Sequence, residues 1–390
     1  MTAAPRIFIV AGEVSGDHQA ALLAAVLRQK HPGLAISGVG GDRMRSAGVD
    51  VLLDTTRWGV IGYLEAYSRL PLFALRFWKV VRLIEHSRPD LLVLVDFPGM
   101  NRELVRHFSG RVPMVYFFPP QTYGRRGRSA ERMAGARVRL LAVLPFEAES
   151  YQRAGADVVF VGHPAVDAAA AVSAPPQRLR EDLGIGPGLL VGLLPGSRVQ
   201  EVRSLLPPML DAARQLHSGL GVQLVLPMAS SHLRPEVQAA VAAAGLPVRL
   251  VEGRPLDVMR ASDAIVMASG TASVEATCIG VPMVVLYRLS PVTWWIGSHF
   301  VVPRWVLDIG ISIPSILLGR KVVPELLQGA VTGERIEAEV KPLLTDPAAR
   351  SRMLRDLEEA RGQLGAPGAL DRAATEVLRA LDSRRGGTVR

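Results

Sequence analysis

Short apolar runs recur along the chain, each closed by a turn of small or polar residues and followed by a stretch with apolar residues at helical spacing. In the first half these runs lie at 7–10, 36–39, 91–95, 112–118, 140–144 and 158–161. Runs this short, rich in β-branched residues and alternating with helical patterns, predict parallel strands joined by crossover helices. The first strand breaks at Ala11-Gly12-Glu13-Val14-Ser15-Gly16-Asp17-His18, and a helix is expected from Gln19 to Lys30, ahead of Pro32-Gly33. A second helix is expected over 70–85, where Arg69, Arg76, Lys79 and Arg82 stand among the apolar positions. A second alternation has its apolar runs at 189–194, 222–226, 248–251, 264–267 and 283–286.

The pattern therefore predicts an α/β chain with two doubly wound domains facing a cleft. The expected boundaries are 1–167 for the first domain, 168–188 for an alanine- and proline-rich linker and 189–340 for the second domain. Residues 341–390 are expected as C-terminal helices packing back toward the first domain. A length of 390 residues fits two cores better than one.

Composition narrows the setting. With 49% hydrophobic and 21% charged residues, the chain reads as globular. The single Cys278 rules out an internal disulfide framework and a thiolate zinc cluster, and fits a reducing compartment. No apolar run reaches the roughly 18–20 residues needed to span a bilayer, and the apolar core of the N-terminus is too short for a signal peptide. A cytoplasmic chain, soluble or peripheral to a membrane, is expected. The net charge of +9 invites an anionic partner, although only four of the 45 basic residues are lysine. No interleaving of basic and stacking aromatic residues points to nucleic acid.

Two turns in the second half carry the strongest chemistry. Leu193-Leu194-Pro195-Gly196-Ser197-Arg198 and Met267-Ala268-Ser269-Gly270-Thr271-Ala272-Ser273-Val274-Glu275 each end an apolar run and open a helical segment. Such turns aim backbone N–H groups and a helix N-terminus at an anion. Ser197, Ser269 and Thr271 add hydroxyl donors, Arg198 adds a planar fork for phosphate oxygens, and Glu275 can accept from ribose hydroxyls. The pair suggests a nucleotide-diphosphate pocket, with tight turns and a solvated arginine as the plain alternative.

In the first half, Glu13, Ser15, Asp17 and His18 share one strand-to-helix turn. Asp17 reads equally well as a helix cap or a ligand group. Asp96 follows five apolar residues, and a carboxylate there is either hydrogen-bonded or used, which makes it a general-base candidate; Asn101 could support its loop. Arg125, Arg126, Arg128, Arg132, Arg137 and Arg139 form a basic segment, a solvated face or an anion contact. Residues 287–305, with Trp294, Trp295, Phe300 and Trp305, read as core or as an interfacial surface. Neither GxGxxG nor a P-loop occurs, and no Asp-x-Asp metal pair is present.

Several of these stretches, in this order, resemble the lipid-A-disaccharide synthase family of inverting GT-B glycosyltransferases. They are AGEVSGD at 11–17, GVGGDRM at 38–44, Asp96 with Pro98 and Asn101, LPFE at 144–147 and FVGHP at 160–164. The second half adds LLPGSR with Glu201 and Val202, ASGTASVE at 268–275, PMVVLYR at 282–288 and LLGRKVVPELLQ at 317–328. The resemblance implies two Rossmann-like domains and transfer of diacylglucosamine from its UDP derivative to a lipid X-like acceptor, giving a β-1,6 disaccharide phosphate and UDP. It implies Asp96, with Glu13 or His18, as the base, and Ser15, Asn101 and Ser315 on the acceptor side. Ser197, Arg198, Ser269, Gly270, Thr271, Ala272 and Glu275 fall on the UDP side. No metal or other cofactor is implied; a homodimer at the inner face of the cytoplasmic membrane is. Residues 118–124, Gly99 and Ser315 depart from the family's usual residues. The alternatives are another GT-B glycolipid transferase, a UDP-sugar 2-epimerase, or a non-catalytic binder of UDP-sugar or membrane.

Overall fold

A computed structural model describes residues 4–56, 58, 70–120, 128–228, 231–290, 294–295 and 304–386. The chain divides into two compact units, residues 1–164 with 364–390, and residues 165–363.

The first unit is built on seven strands: β1 Arg6–Ala11, β2 Ala35–Gly40, β3 Asp50–Asp54, β4 Leu91–Val95, β5 Met114–Phe117, β6 Val138–Ala142 and β7 Val158–Phe160. All pairings are parallel, in the order β3-β2-β1-β4-β5-β6-β7. Central β4 is buried on both faces, which is why it reads as an unbroken apolar run, LLVLV. Edge strand β3 alternates exposed and half-buried residues between two aspartates, so no apolar run betrayed it. The core beneath the sheet joins Phe8, Val10, Leu92, Leu94, Tyr116 and Leu140 to Val80, Ile84, Leu104 and Tyr151 of the helices. Each such fully buried side chain contributes about 1.5–3 kcal/mol.

Helix Glu13–Lys30 starts six residues earlier than its apolar spacing suggested, so Glu13, Ser15, Asp17 and His18 all lie in its first two turns. The C-terminal helix Ala369–Gly386 buries Ala369, Ala373, Ala374, Val377 and Leu381. It is tied down by Lys30 to Asp371 at 2.7 Å and by Arg139 to Glu376 at 2.7 Å.

The second unit has six parallel strands: β8 Leu190–Leu194, β9 Gln223–Met228, β10 Val248–Glu252, β11 Ala264–Ala268, β12 Met283–Tyr287 and β13 Glu325–Leu327, ordered β10-β9-β8-β11-β12-β13. Its core extends into helices Gly333–Thr345 and Pro347–Gln363 through Ile336, Val340, Leu343, Met353 and Leu357. Residues 341–363 thus belong to the second unit, where their apolar stripe finds its partners, and only the chain from Leu364 onward joins the first. The expected linker is also structured. Helices Pro164–Ala171 and Pro176–Asp182 occupy most of it, and Leu179, Leu183 and Ile185 pack on Leu190, Val225, Val258 and Ala261.

Candidate functional site

In the first unit β1 leads outward to β2, whereas β4 leads to β5 on the other side. The chain reverses its winding between β1 and β4, and the carboxyl ends of such a pair frame the ligand crevice of an open α/β sheet. Glu13 follows β1 and Asp96 follows β4. Both have positive φ, 58° and 35°, as does Phe118 after β5, at 57°. Among the described residues only Arg88 and Gln328 share that feature outside glycine. A non-glycine residue held there costs about 1–3 kcal/mol, and such strain clusters at functional sites.

Ser15 Oγ donates to Asp96 Oδ2 at 3.0 Å. The helix start lies close against β4's end: a Cβ on Gly16 would sit 3.1 Å from the Asp96 carbonyl oxygen, and one on Gly12 would enter the Phe97 ring. His18 is half-buried, and burial, helped by Arg43 and opposed by Asp17, holds its pKa below the ordinary value. A neutral imidazole can accept a proton.

Asp17 resolves into a structural role. It is buried and accepts from the N–H groups of Gly41 at 2.7 Å, Arg43 at 3.1 Å and Met44 at 3.2 Å, capping the short helix Asp42–Ser46. A Cβ on Gly41 would stand 2.8 Å from Asp17 Oδ2, which explains the paired glycines of GVGGDRM.

Two of the acceptor-side candidates are enclosed. Asn101 is fully buried on helix Pro98–Phe108, behind Asp96's loop. Ser315 is fully buried in the second unit, where its hydroxyl contacts Ser312 Oγ at 3.0 Å, Glu325 Oε1 at 3.2 Å and the Val322 N–H at 3.2 Å. It fastens helix Ile313–Leu318 to β13.

The second unit reverses its winding between β8 and β11, and the two small-residue turns follow these strands. After β8, Gly196 has φ 110° and a Cβ there would lie 2.2 Å from Glu201 Oε2. Glu201 Oε2 accepts from the N–H groups of Ser197 at 3.0 Å and Arg198 at 3.2 Å, and Oε1 accepts from Arg198 Nη1 at 3.1 Å. A carboxylate from helix Val199–Leu220 therefore occupies the turn expected to hold phosphate, as the reciprocal cap of that helix. After β11, Gly270 and Thr271 are exposed, with open space where a Gly270 side chain would be. Ser269 donates its N–H to the Leu286 carbonyl, and Ser273 Oγ caps back to Gly270 O at 2.7 Å. Ala272 and Glu275 lie half-buried in the first turn of helix Ala272–Ile279.

Sequence reasoning met Glu201 and Glu147 only as members of motifs, without a role, and passed over Tyr116 and Tyr151. Glu201's signal was its place three residues after Arg198, where a helix N-terminus favours a reciprocal cap. Of the basic segment, Arg139 is committed to Glu376 and Asp157, while Arg125 and Arg126 lie outside the described residues. Trp294 stacks edge-on against Tyr287, and Trp295 and Trp305 are exposed; Phe300 lies outside the described residues. Arg288 is structural, donating to the carbonyls of Ser204, Gln328 and Val331. Among the described residues no group of acidic, histidine or cysteine side chains is arranged to hold a metal.

The family model described as lipid-A-disaccharide synthetase matches residues 7–374. The chain belongs to the lipid-A-disaccharide synthetase family. The lipid-A-disaccharide synthase of Myxococcus xanthus is 40% identical over 98% of this chain and 99% of that protein, and that of Geobacter sulfurreducens is 38% identical over 96% and 97%. The fold is that of GT-B glycosyltransferases. A glycosyltransferase from Rickettsia africae superposes with a TM-score of 0.55 at 14% identity, covering 98% of both chains. The UDP-GlcNAc 2-epimerase from Neisseria meningitidis, solved with UDP-GlcNAc bound, gives 0.63 at 13% identity, covering 96% of this chain and all of that one. At such identities these two likenesses concern the fold. Membership of the family makes the chain a glycosyltransferase.

Proposed function

We propose that this chain transfers 2,3-diacylglucosamine from its UDP derivative to 2,3-diacylglucosamine 1-phosphate, forming the β-1,6-linked disaccharide 1-phosphate and UDP. The observation that carries the reading is kinship over nearly the whole chain with proteins named for this activity. Asp96, oriented by Ser15 at the first unit's switch point, removes the acceptor hydroxyl proton as that oxygen attacks the anomeric carbon. Glu13 shapes the same edge, and neutral His18 is the nearby alternative proton acceptor.

On the second unit, the turn amides of Ser197 and Arg198, the Arg198 guanidinium and the open Ser269-Gly270-Thr271-Ala272 turn receive the diphosphate. Glu275 is assigned to the ribose. Donors fixed in advance stabilise the departing UDP as its negative charge grows. Purified protein given UDP-diacylglucosamine and lipid X should yield the disaccharide phosphate by mass spectrometry, with UDP release dependent on acceptor. UDP release indifferent to acceptor, or conversion of the donor to its 2-epimer, would refute the reading.

Both substrates carry acyl chains, and we extend the proposal to peripheral attachment, as a homodimer, at the inner face of the cytoplasmic membrane. Leu72, Leu75 and Trp78 are exposed at spacings of three on helix Leu70–Ser87, beside Arg76 and Lys79. Apolar residues flanked by cations suit an anionic lipid surface. Among the described residues no helix is long and apolar enough to cross a membrane. Leu72→Ser with Leu75→Ser should reduce co-sedimentation with phosphatidylglycerol vesicles several-fold with only a small change in melting temperature. Unaltered co-sedimentation would remove this helix from the contact.

A further inference from the structure

At the amino-terminal edge of the first unit's sheet, opposite the end that carries Glu13 and Asp96, lies an open cavity of about 460 Å³. That volume falls within the roughly 300–1,000 Å³ of small-molecule sites. Buried Ile84 and Phe108, with half-buried Val112, give the cavity an apolar floor. Three exposed cations, Arg6, Arg88 and Arg111, line it as well, together with the acids Glu85 and Asp90.

Both acids already have partners. Asp90 Oδ2 accepts from the Arg6 N–H at 2.9 Å, and the Asp90 N–H donates to the Arg6 carbonyl at 2.8 Å, joining the start of β1 to that of β4. Glu85 stands 3.9 Å from His107 Nε2. The guanidiniums are less committed. Arg111 Nη1 lies 3.3 Å from His107 Nε2, and among the described residues neither Arg6 nor Arg88 enters an ion pair. Helices Leu70–Ser87 and Pro98–Phe108 end beside the cavity, and their carbonyl ends attract cations. That attraction explains a basic residue here, but not the backbone of Arg88.

Arg88 closes helix Leu70–Ser87, its N–H donating to the Ile84 carbonyl at 3.1 Å, with φ at 45°. Glycine is the usual residue at such a left-handed stop, because it has no Cβ to crowd the turn. Helices Val199–Leu220, Arg234–Ala244, Ala272–Ile279 and Ile313–Leu318 end in this way on Gly221, Gly245, Gly280 and Gly319. The first unit instead places an arginine there against its steric preference. What the position gains is a third guanidinium on the cavity, beside two others that repel it until an anion enters.

We propose that this cavity is an anion site remote from the transfer edge, and that it takes a phosphate group, carried by a soluble ester or by a lipid headgroup. A phosphate offers three oxygens and up to two charges to the planar forks of arginine, more than a carboxylate does. The apolar floor suits the carbon-bearing side of the ester.

Calorimetric titration of the full-length protein with inorganic pyrophosphate, in saturating UDP to fill the second unit's turns, should reveal one further site. Arg88→Gly should weaken it roughly ten- to a hundredfold, the worth of a hydrogen bond to a charged group. The same substitution should raise the melting temperature by about 2–4 °C, because it relieves the turn. Better folding with poorer binding would show that the arginine serves a ligand. Arg111→Gln changes an exposed side chain beyond the helix and should weaken binding without altering the Arg88 turn. Loss of binding in Arg88→Gly alone, with a lower melting temperature, would assign that loss to the fold and overturn the proposal.

Phosphatidylglycerol vesicles separate the two sources. Several-fold weaker co-sedimentation of both variants, with no pyrophosphate site in the wild type, would identify a lipid headgroup. Pyrophosphate binding that both variants weaken, with unchanged co-sedimentation, would identify a soluble ester. Variants equal to wild type in both arms would overturn the proposal. Neither arm involves acceptor or transfer, so the result stands whatever the activity proves to be.

Discussion

Asp96→Asn is expected to lower the transfer rate by roughly 10²–10⁴, the usual worth of a positioned general base, while UDP binding is unchanged. The asparagine side chain has nearly the same shape and can still accept from Ser15 Oγ, so the strained turn after β4 should persist. What disappears is a group able to take a proton. The expected signature is therefore a fall in turnover at constant affinity for UDP, read by acceptor-dependent UDP release and by calorimetric titration of UDP. Retained turnover would transfer the base role to His18 or Glu13. Ser15→Ala should do less: it removes one neutral donor to a half-exposed carboxylate, a contact worth roughly 1.5–3 kcal/mol at most.

The legibility of this fold followed burial. Strands covered on both faces, such as β4 and β11, announce themselves as unbroken apolar runs. Edge strands β3 and β13 do not, because β3 alternates exposed and half-buried residues between two aspartates and β13 is only three residues long, whereas edge strands β7 and β10 still carry short apolar runs. Helix Glu13–Lys30 was underestimated because its first turns carry polar residues that serve the sheet's carboxyl edge rather than the core. The turns after β1, β8 and β11 were legible as turns, since a glycine and a hydroxyl residue close an apolar run in each.

Residues that act through tertiary contact were not. Asp17 is an acid at a helix start in sequence, yet its partners are amides 24 to 27 residues away. Ser315 differs from the family's usual asparagine, but that difference says nothing of Glu325, ten residues on, which engages it. His163 in FVGHP would pass for a catalytic histidine. Instead, burial pushes its pKa down to about 3, and its ring meets Phe118 edge-on at 5.5 Å.

Arg198→Ala should reduce kcat/KM for the UDP-sugar by roughly 10²–10³, the scale seen when one preorganised donor to a developing negative charge is lost. The side chain is almost half exposed, and its pairing with Glu201 at 3.1 Å is a surface contact. Such pairs contribute about 0–1 kcal/mol, so the guanidinium can exchange the carboxylate for a diphosphate at little expense. The same reasoning predicts a melting temperature within about 4 °C of wild type, given that 1 kcal/mol shifts a larger domain by roughly 2–4 °C. Arg198→Lys should recover only part of the rate, because an ammonium restores charge without the planar fork. Glu201→Gln provides the converse: with the competing charge removed, the amides of Ser197 and Arg198 are left freer for phosphate, and UDP should bind more tightly. If Arg198→Ala left donor kinetics untouched, the turn after β8 would be a helix cap and nothing more, and the diphosphate would have to rest on the turn after β11 alone.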